Sequence, residues 1–239
     1  MAPPRRYGTV IFDCDSTLSA IEGIEELAHR HREEIARLTE SAMRGEIALE
    51  EVYGHRLDLV RPTRAQVEAL GERYVQTLVT DVPETIAALL GEGIEVRVMS
   101  GGIRPAVLTL ATALGLEEHA VAAVDVYFDS NGDYAGFDNG SPLARSGGKR
   151  VVLERWLPEL PRPVMLVGDG VTDFEARPPA DLFVAFAGVV ERLAVIEVAD
   201  EVVRTPSMAP ILVLALGGVA PKEVAARKVF ELGQSLMRT

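Results

Sequence analysis

Apolar residues gather in short runs along the chain. Thr9-Val10-Ile11-Phe12 and Val164-Met165-Leu166-Val167 are nearly continuous in β-branched and aliphatic residues, as in strands buried on both faces of a parallel sheet. Glu95-Val96-Arg97-Val98-Met99 alternates and predicts a third strand, and residues 182–186 predict a fourth. The first three stop abruptly, in Asp13-Cys14-Asp15-Ser16-Thr17, Ser100-Gly101-Gly102 and Gly168-Asp169-Gly170. Polar groups at the carboxyl ends of strands are where doubly wound α/β sheets bind ligands.

Between the first two strands, residues 20–82 are helical in pattern, longer than one crossover helix needs, and predict an inserted cap. Its first helix carries Ile24, Leu27, Ala28, Ile35 and Leu38 at spacings near three and four, with Glu25, Glu26, His29 and Arg32 facing elsewhere. Pro62-Thr63 breaks that pattern before a further helix. Residues 81–83 begin the return to the core, followed by helices over 85–90, 104–114 and 149–157. Asn131-Gly132, between aromatic-rich arms, predicts a type I′ hairpin over 126–137. The expected fold is therefore α/β: a Rossmann-like doubly wound, mostly parallel sheet over 7–19 and 83–218, a helical cap over 20–82 and a small β-hairpin. A helical extension over 219–239 is expected to pack on the core or to join two copies as a homodimer.

Charge narrows the partners. The 36 acidic against 24 basic residues give a net charge of −12, which repels nucleic acid and anionic membrane surfaces. An anionic substrate then needs a metal ion and a few placed cations to reverse the field locally. Cys14 is the only cysteine, so no intrachain disulfide forms, and a cytoplasmic location is expected. The longest apolar run, 211–220, is too short to span a bilayer as a helix.

Asp13 and Asp15 stand two apart, so an extended backbone sends both carboxylates one way and Cys14 the other. One could act as a nucleophile and the other as an acid that protonates a leaving alkoxide, its proton retained beside a like charge. A lone Asp-x-Asp is more often a polar turn after a strand. Asp169 and Asp173, on a glycine-flanked turn, add oxygen ligands of the kind Mg2+ takes, or simply cap a helix. Ser100 and Gly101 offer a hydroxyl and free backbone N–H groups at a helix start, a phosphate seat or a structural turn. Lys149 sits in the first turn of a helix, where the dipole disfavours a cation. That placement suggests a phosphate contact, against a solvated lysine as the ordinary reading. The four histidines share no metal-ligand spacing.

These four stretches, in this order at strand ends, resemble the haloacid dehalogenase superfamily. Within it, Asp13-Cys14-Asp15-Ser16-Thr17, Glu22-Gly23-Ile24-Glu25-Glu26-Leu27-Ala28, Met43, His55-Arg56-Leu57, Ser100-Gly101-Gly102, Ser146-Gly147-Gly148-Lys149 and Gly168-Asp169-Gly170-Val171-Thr172-Asp173 are similar to phosphoserine phosphatases. The resemblance implies hydrolysis of a small phosphorylated metabolite, O-phosphoserine, in serine biosynthesis. It implies Asp13 as nucleophile, Asp15 as acid and base, and Mg2+ held by Asp13, the Asp15 carbonyl and Asp169. Phosphate would be held by Ser100, Gly101 and Lys149, with Thr172 near the substrate and Asp173 orienting Lys149. Glu22 and Arg56 would meet the ammonium and carboxylate of serine, and Met43 would line the pocket. Two departures stand out: Leu49 replaces a phenylalanine near the substrate, and Phe186-Ala187-Gly188-Val189 alters a loop beside the site. Competing expectations are another small phosphate ester, phosphotransfer to a second alcohol, and a phospho-aspartate signalling module.

Overall fold

The computed structural model describes residues 5–28, 32–43, 46–47 and 49–238, with only the backbone described for residues 32, 42, 43 and 49–51. Its strands, in chain order, are β1 (Thr9–Phe12), β2 (Glu95–Ile103), β3 (Val121–Val124), β4 (Val126–Phe128), β5 (Tyr134–Phe137), β6 (Val164–Gly168), β7 (Leu182–Phe186) and β8 (Glu201–Val203). Among the described residues six of these form one parallel sheet in the order β3-β2-β1-β6-β7-β8. The strands with continuous apolar runs lie at its centre, since only there are both faces covered. All of β1 and β6 is buried.

Register is what matters for the site. Phe12, the last residue of β1, lies abreast of Val98 on one side and Val167 on the other, so the three strands reach that height in register, β2 alone running on to Ile103. The residues that follow, Asp13, Ser100 and Asp169, are thereby delivered to one edge. The order also reverses direction at β1, which places that edge at the topological switch point. Arg97, the cation within β2, stacks over Trp156 with 5.0 Å to the ring centroid and bonds Glu95 of the same strand at 3.1 Å.

The helices are α1 (Gly23–Leu27), α2 (Arg32–Met43), α3 (Leu49–Val60), α4 (Arg64–Gln76), α5 (Val82–Gly91), α6 (Arg104–Ala113), α7 (Gly148–Trp156), α8 (Val171–Glu175), α9 (Leu193–Ile196), α10 (Ala209–Ala215) and α11 (Val224–Leu236). The inserted segment is helical, but its expected first helix is two, α1 and α2. Ile24, Leu27, Ala28 and Ile35 are buried and Leu38 is half-buried, while His29 lies outside the described residues. Pro62 separates α3 from α4, and Thr63 caps α4 reciprocally with Gln66. The four helices α1–α4 do not stand apart as a body: α4 lies along α6 of the core. A Cβ on Gly71 would come within 2.6 Å of Thr109 Oγ1, so the two helices touch almost backbone to side chain there.

The hairpin is present as β4 and β5, but its turn is not type I′. That turn needs positive φ at both central residues, and only Gly132 has it, at 85°. Asp129 organises the turn instead, its carboxylate accepting from the N–H groups of Asn131 and Asp133 at 2.8 and 3.0 Å. The hairpin docks on the cap: the Phe137 and Tyr53 rings are 5.4 Å apart, and Arg64 N–H donates to Gly132 O at 2.8 Å.

The C-terminal extension packs on the core. Ala226, Phe230 and Gly233 of α11 are buried against α10 and α5, and the Glu223 side chain accepts from Ala226 N–H at the start of the helix. Among the described residues no helix is long and apolar enough to cross a membrane.

Candidate active site

Nine of the residues singled out in the sequence line one pocket at the carboxyl edge of the sheet: Asp13, Asp15, Glu22, Arg56, Ser100, Gly101, Lys149, Asp169 and Thr172. Asp173 lies behind it, fully buried, and the side chain of Met43 lies outside the described residues, as does that of Leu49.

Asp13 follows β1 directly. Its Oδ1 accepts from the Cys14 N–H at 2.7 Å, and its Oδ2 lies 2.8 Å from Lys149 Nζ. Lys149 also donates to Asp173 Oδ1 at 2.6 Å, so one buried ammonium bridges two carboxylates. Burial alone works against that charge, yet Asp13 and Asp173 overcome it and push its pKa above that of a free lysine. Burial raises Asp173, while Lys149 on one oxygen and the Gly170 N–H at 3.1 Å on the other favour its charged form; this geometry is that of an ion pair. The unfavourable place of Lys149 at a helix start is thus offset by two anions.

Asp15 accepts from the Gly23 N–H at 2.7 Å and from the Tyr74 hydroxyl at 2.6 Å, both on Oδ1. Its pKa is pushed up to about 6, by burial first and by Asp13 second, with both hydrogen bonds opposing. The like charge expected to hold the proton is therefore the lesser cause. Such a carboxyl exchanges a proton near neutral pH, as an acid and base must. Cys14 is wholly buried and its thiol is raised well above the usual range by burial, which suits a core residue and not a nucleophile.

The phosphate seat differs in detail from expectation. Ser100-Gly101-Gly102 continues β2, and α6 begins only at Arg104. The Gly102 N–H is not free, because it donates to Ser100 Oγ at 2.9 Å.

Asp13, Asp169 and Asp173 present oxygens within 4.8 Å of one another, a buried cluster able to hold a metal ion. All are hard oxygen donors, the type divalent magnesium or calcium takes. Among the described residues two cations contact the three carboxylates, Lys149 and Arg192, which leaves a further positive charge to be accommodated.

Arg192 was not legible as a site residue. It is buried, with Nη1 2.5 Å from Asp169 Oδ2 and Nη2 3.5 Å from Glu22 Oε1. Asp169 is pushed up to about 6 by burial, with Arg192 opposing. Glu22 accepts from Ser16 Oγ at 2.7 Å and is raised well above the usual range, by burial and then by Asp15 and Asp169. The only signal for Arg192 was that the altered stretch 186–189 runs into it. Tyr74, Tyr53 and Thr39 were missed as well, each an ordinary residue in an ordinary helix.

The chain is similar to known proteins in sequence and in fold. The family model of haloacid dehalogenase-like hydrolases matches residues 7–181. A chloroplastic phosphoserine phosphatase of Arabidopsis thaliana is 36% identical over 201 residues, covering 82% of this chain and 68% of its own. The phosphoserine phosphatase of Homo sapiens is 37% identical over 186 residues, covering 77% and 83%. A solved phospho-aspartyl intermediate analogue of phosphoserine phosphatase superposes with a TM-score of 0.73 at 27% identity, covering 87% of this chain and 98% of that one.

Proposed function

The chain belongs to the haloacid dehalogenase-like hydrolases, and from that premise we propose that it is a Mg2+-dependent phosphatase that hydrolyses O-phosphoserine to serine and phosphate. The observation that carries this reading is the pairing, in one pocket, of Asp13 against Lys149 with Asp15 raised to about 6 beside it.

In the first half of the reaction an Asp13 oxygen forms a bond to phosphorus as the ester P–O bond breaks, and the Asp15 proton passes to the departing serine oxygen. In the second half the Asp15 carboxylate takes a proton from water, whose oxygen attacks phosphorus and releases phosphate from Asp13. Lys149, Ser100 and the Gly101 N–H hold the phosphoryl oxygens, and Asp173 fixes Lys149. Asp13, Asp169 and the Asp15 carbonyl would hold Mg2+, which when bound neutralises phosphoryl charge. On the cap side Glu22 meets the ammonium and Arg56 the carboxylate of serine, with Thr172 and Met43 completing the pocket. Asp15 beside Asp13 supports turnover over a lasting acyl phosphate of the signalling kind. The lone, buried Cys14 suits a reducing cytoplasm.

A panel of phosphomonoesters with Mg2+ or chelator, and with or without an added alcohol, tests this. The expected result is phosphate release from O-phosphoserine that needs Mg2+ and ignores the alcohol. Turnover of other esters but not this one would overturn the substrate. Undiminished activity in chelator would overturn the metal, and transfer to the alcohol would make the protein a phosphotransferase.

A further inference from the structure

Two polar atoms on the cap side of the pocket are buried without a hydrogen-bond partner among the described residues: the hydroxyl of Tyr53 and Nε of Arg56. Both residues belong to α3, three positions apart, and therefore share a face. Both line the pocket, with residue exposures of 1% and 5%.

Neither side chain is loosely held. Arg56 Nη1 donates to Thr39 Oγ1 at 2.8 Å, and the guanidinium lies 5.5 Å from the Tyr53 ring centroid. That ring is tilted against Phe137 at 56°, with centroids 5.4 Å apart. Burial raises the Tyr53 pKa above the ordinary phenol value, so near neutral pH the group is an O–H donor. Native structures seldom leave a buried donor unpaired, because the lost hydration is not recovered. None of the carboxylates lining the same pocket, Asp13, Asp15, Glu22, Glu25 and Asp169, accepts from either atom. The missing acceptor is therefore one that the ligand brings.

We propose that Tyr53 is a specificity-determining residue whose hydroxyl donates to the substrate carboxylate, beside the contact made by Arg56. A carboxylate has two oxygens, and the two orphan donors on one face of α3 supply one bond to each. The inference rests on the reading of Arg56 as the carboxylate partner and adds a second reader to it. An aliphatic or phenylalanine side chain at this position would fill the same wall without discriminating between carboxylate and hydrocarbon.

Tyr53→Phe removes the hydroxyl and keeps the ring that Phe137 and Arg56 pack against. With O-phosphoserine, kcat/KM should fall about tenfold or more, chiefly through KM, the size expected for a hydrogen bond to a charged group. O-phosphoethanolamine and p-nitrophenyl phosphate lack the carboxylate and should change by less than about twofold, which also reports that the variant is folded. Tm without ligand should equal or exceed that of the wild type, because an unpaired buried hydroxyl has been removed. Equal losses on all three esters, no loss on O-phosphoserine, or a lowered Tm would each overturn the proposal. If the wild type leaves O-phosphoserine untouched, the carboxylate reading falls and takes the proposal with it. If the wild type turns it over and Tyr53→Phe does so equally well, only the role of the hydroxyl is lost.

Discussion

The Tyr74 hydroxyl, on α4, donates to Asp15 Oδ1 at 2.6 Å, so a residue of the inserted segment sets the environment of the acid in the core. Tyr74→Phe should lower kcat with alkyl phosphates about tenfold, the worth of one charge-assisted hydrogen bond. Gly23→Ala should resemble it, since a Cβ there would stand 2.0 Å from the same hydroxyl. p-Nitrophenyl phosphate, whose leaving group needs no proton, should be affected less by both. Equal effects on the two ester types would remove Tyr74 from the proton transfer.

Asp13→Asn should lose at least about a hundredfold in turnover while remaining folded, because an amide does not attack phosphorus. The protein should also no longer incorporate label from a radioactive phosphate ester into an acid-stable acyl phosphate. A variant that keeps more than a few per cent of its rate would show that the nucleophile lies elsewhere.

Arg56→Ala should reduce kcat/KM for O-phosphoserine by about ten- to a hundredfold and leave O-phosphoethanolamine nearly unchanged, since that ester has no carboxylate to lose. Glu22→Gln should show the converse pattern, sparing phospholactate, which has no ammonium. Parallel losses across these esters would mean that neither residue reads the ends of serine.

Hydrogen exchange should slow in α1 to α3 when Mg2+ and a non-hydrolysable phosphate analogue bind, because closure must exclude water and still release product. The amides of α4 should change little, since that helix already lies along α6. Uniform protection from α1 to α4 would show the whole insertion moving as one.

Asp200 gives a pH dependence remote from the chemistry. Its carboxylate pairs with Arg177 and accepts from the Phe183 N–H at 2.9 Å, and Arg177 foremost holds its pKa below the ordinary value. The folded chain therefore binds this proton less readily than the unfolded one. Its contribution to stability is complete above about pH 4 and fades as pH falls through the depressed value. Urea melts should find Asp200→Asn less stable than the wild type at pH 6, with the gap closing towards pH 3. A gap that persists at pH 3 would exclude Asp200 ionisation as its source.

The central strands were legible because burial on both faces writes an unbroken apolar run, and each run ended in the groups that form the pocket. β3 and β8 were not, since Val121–Val124 is half-exposed in part and Glu201–Val203 is only three residues at a sheet edge. Asn131-Gly132 taken by itself predicts a type I′ turn, whereas the carboxylate of Asp129, outside that pair, decides the geometry. Asp13, Lys149 and Asp169 could be assembled from spacing and resemblance. Arg192, Tyr74 and Tyr53 could not: each acts through a side-chain tip brought in by tertiary packing, the tyrosines from helices and Arg192 from the residue before α9, and no local pattern marks such a tip as meeting a distant carboxylate or a ligand.

The close seat of Gly71 on Thr109 bears on how this insertion could be exchanged for another. A graft that replaced residues 20–82 as a block would remove α4, with its buried Val67 and Leu70, and strip α6 of the helix that lies along it. Arg61, held at a positive φ of 44°, and the capped turn at Thr63 form a joint on the near side of α4. Transplants cut at that joint would bring in new specificity helices and leave in place the tyrosine that holds the acid, so a chimera could change its substrate without rebuilding its catalyst.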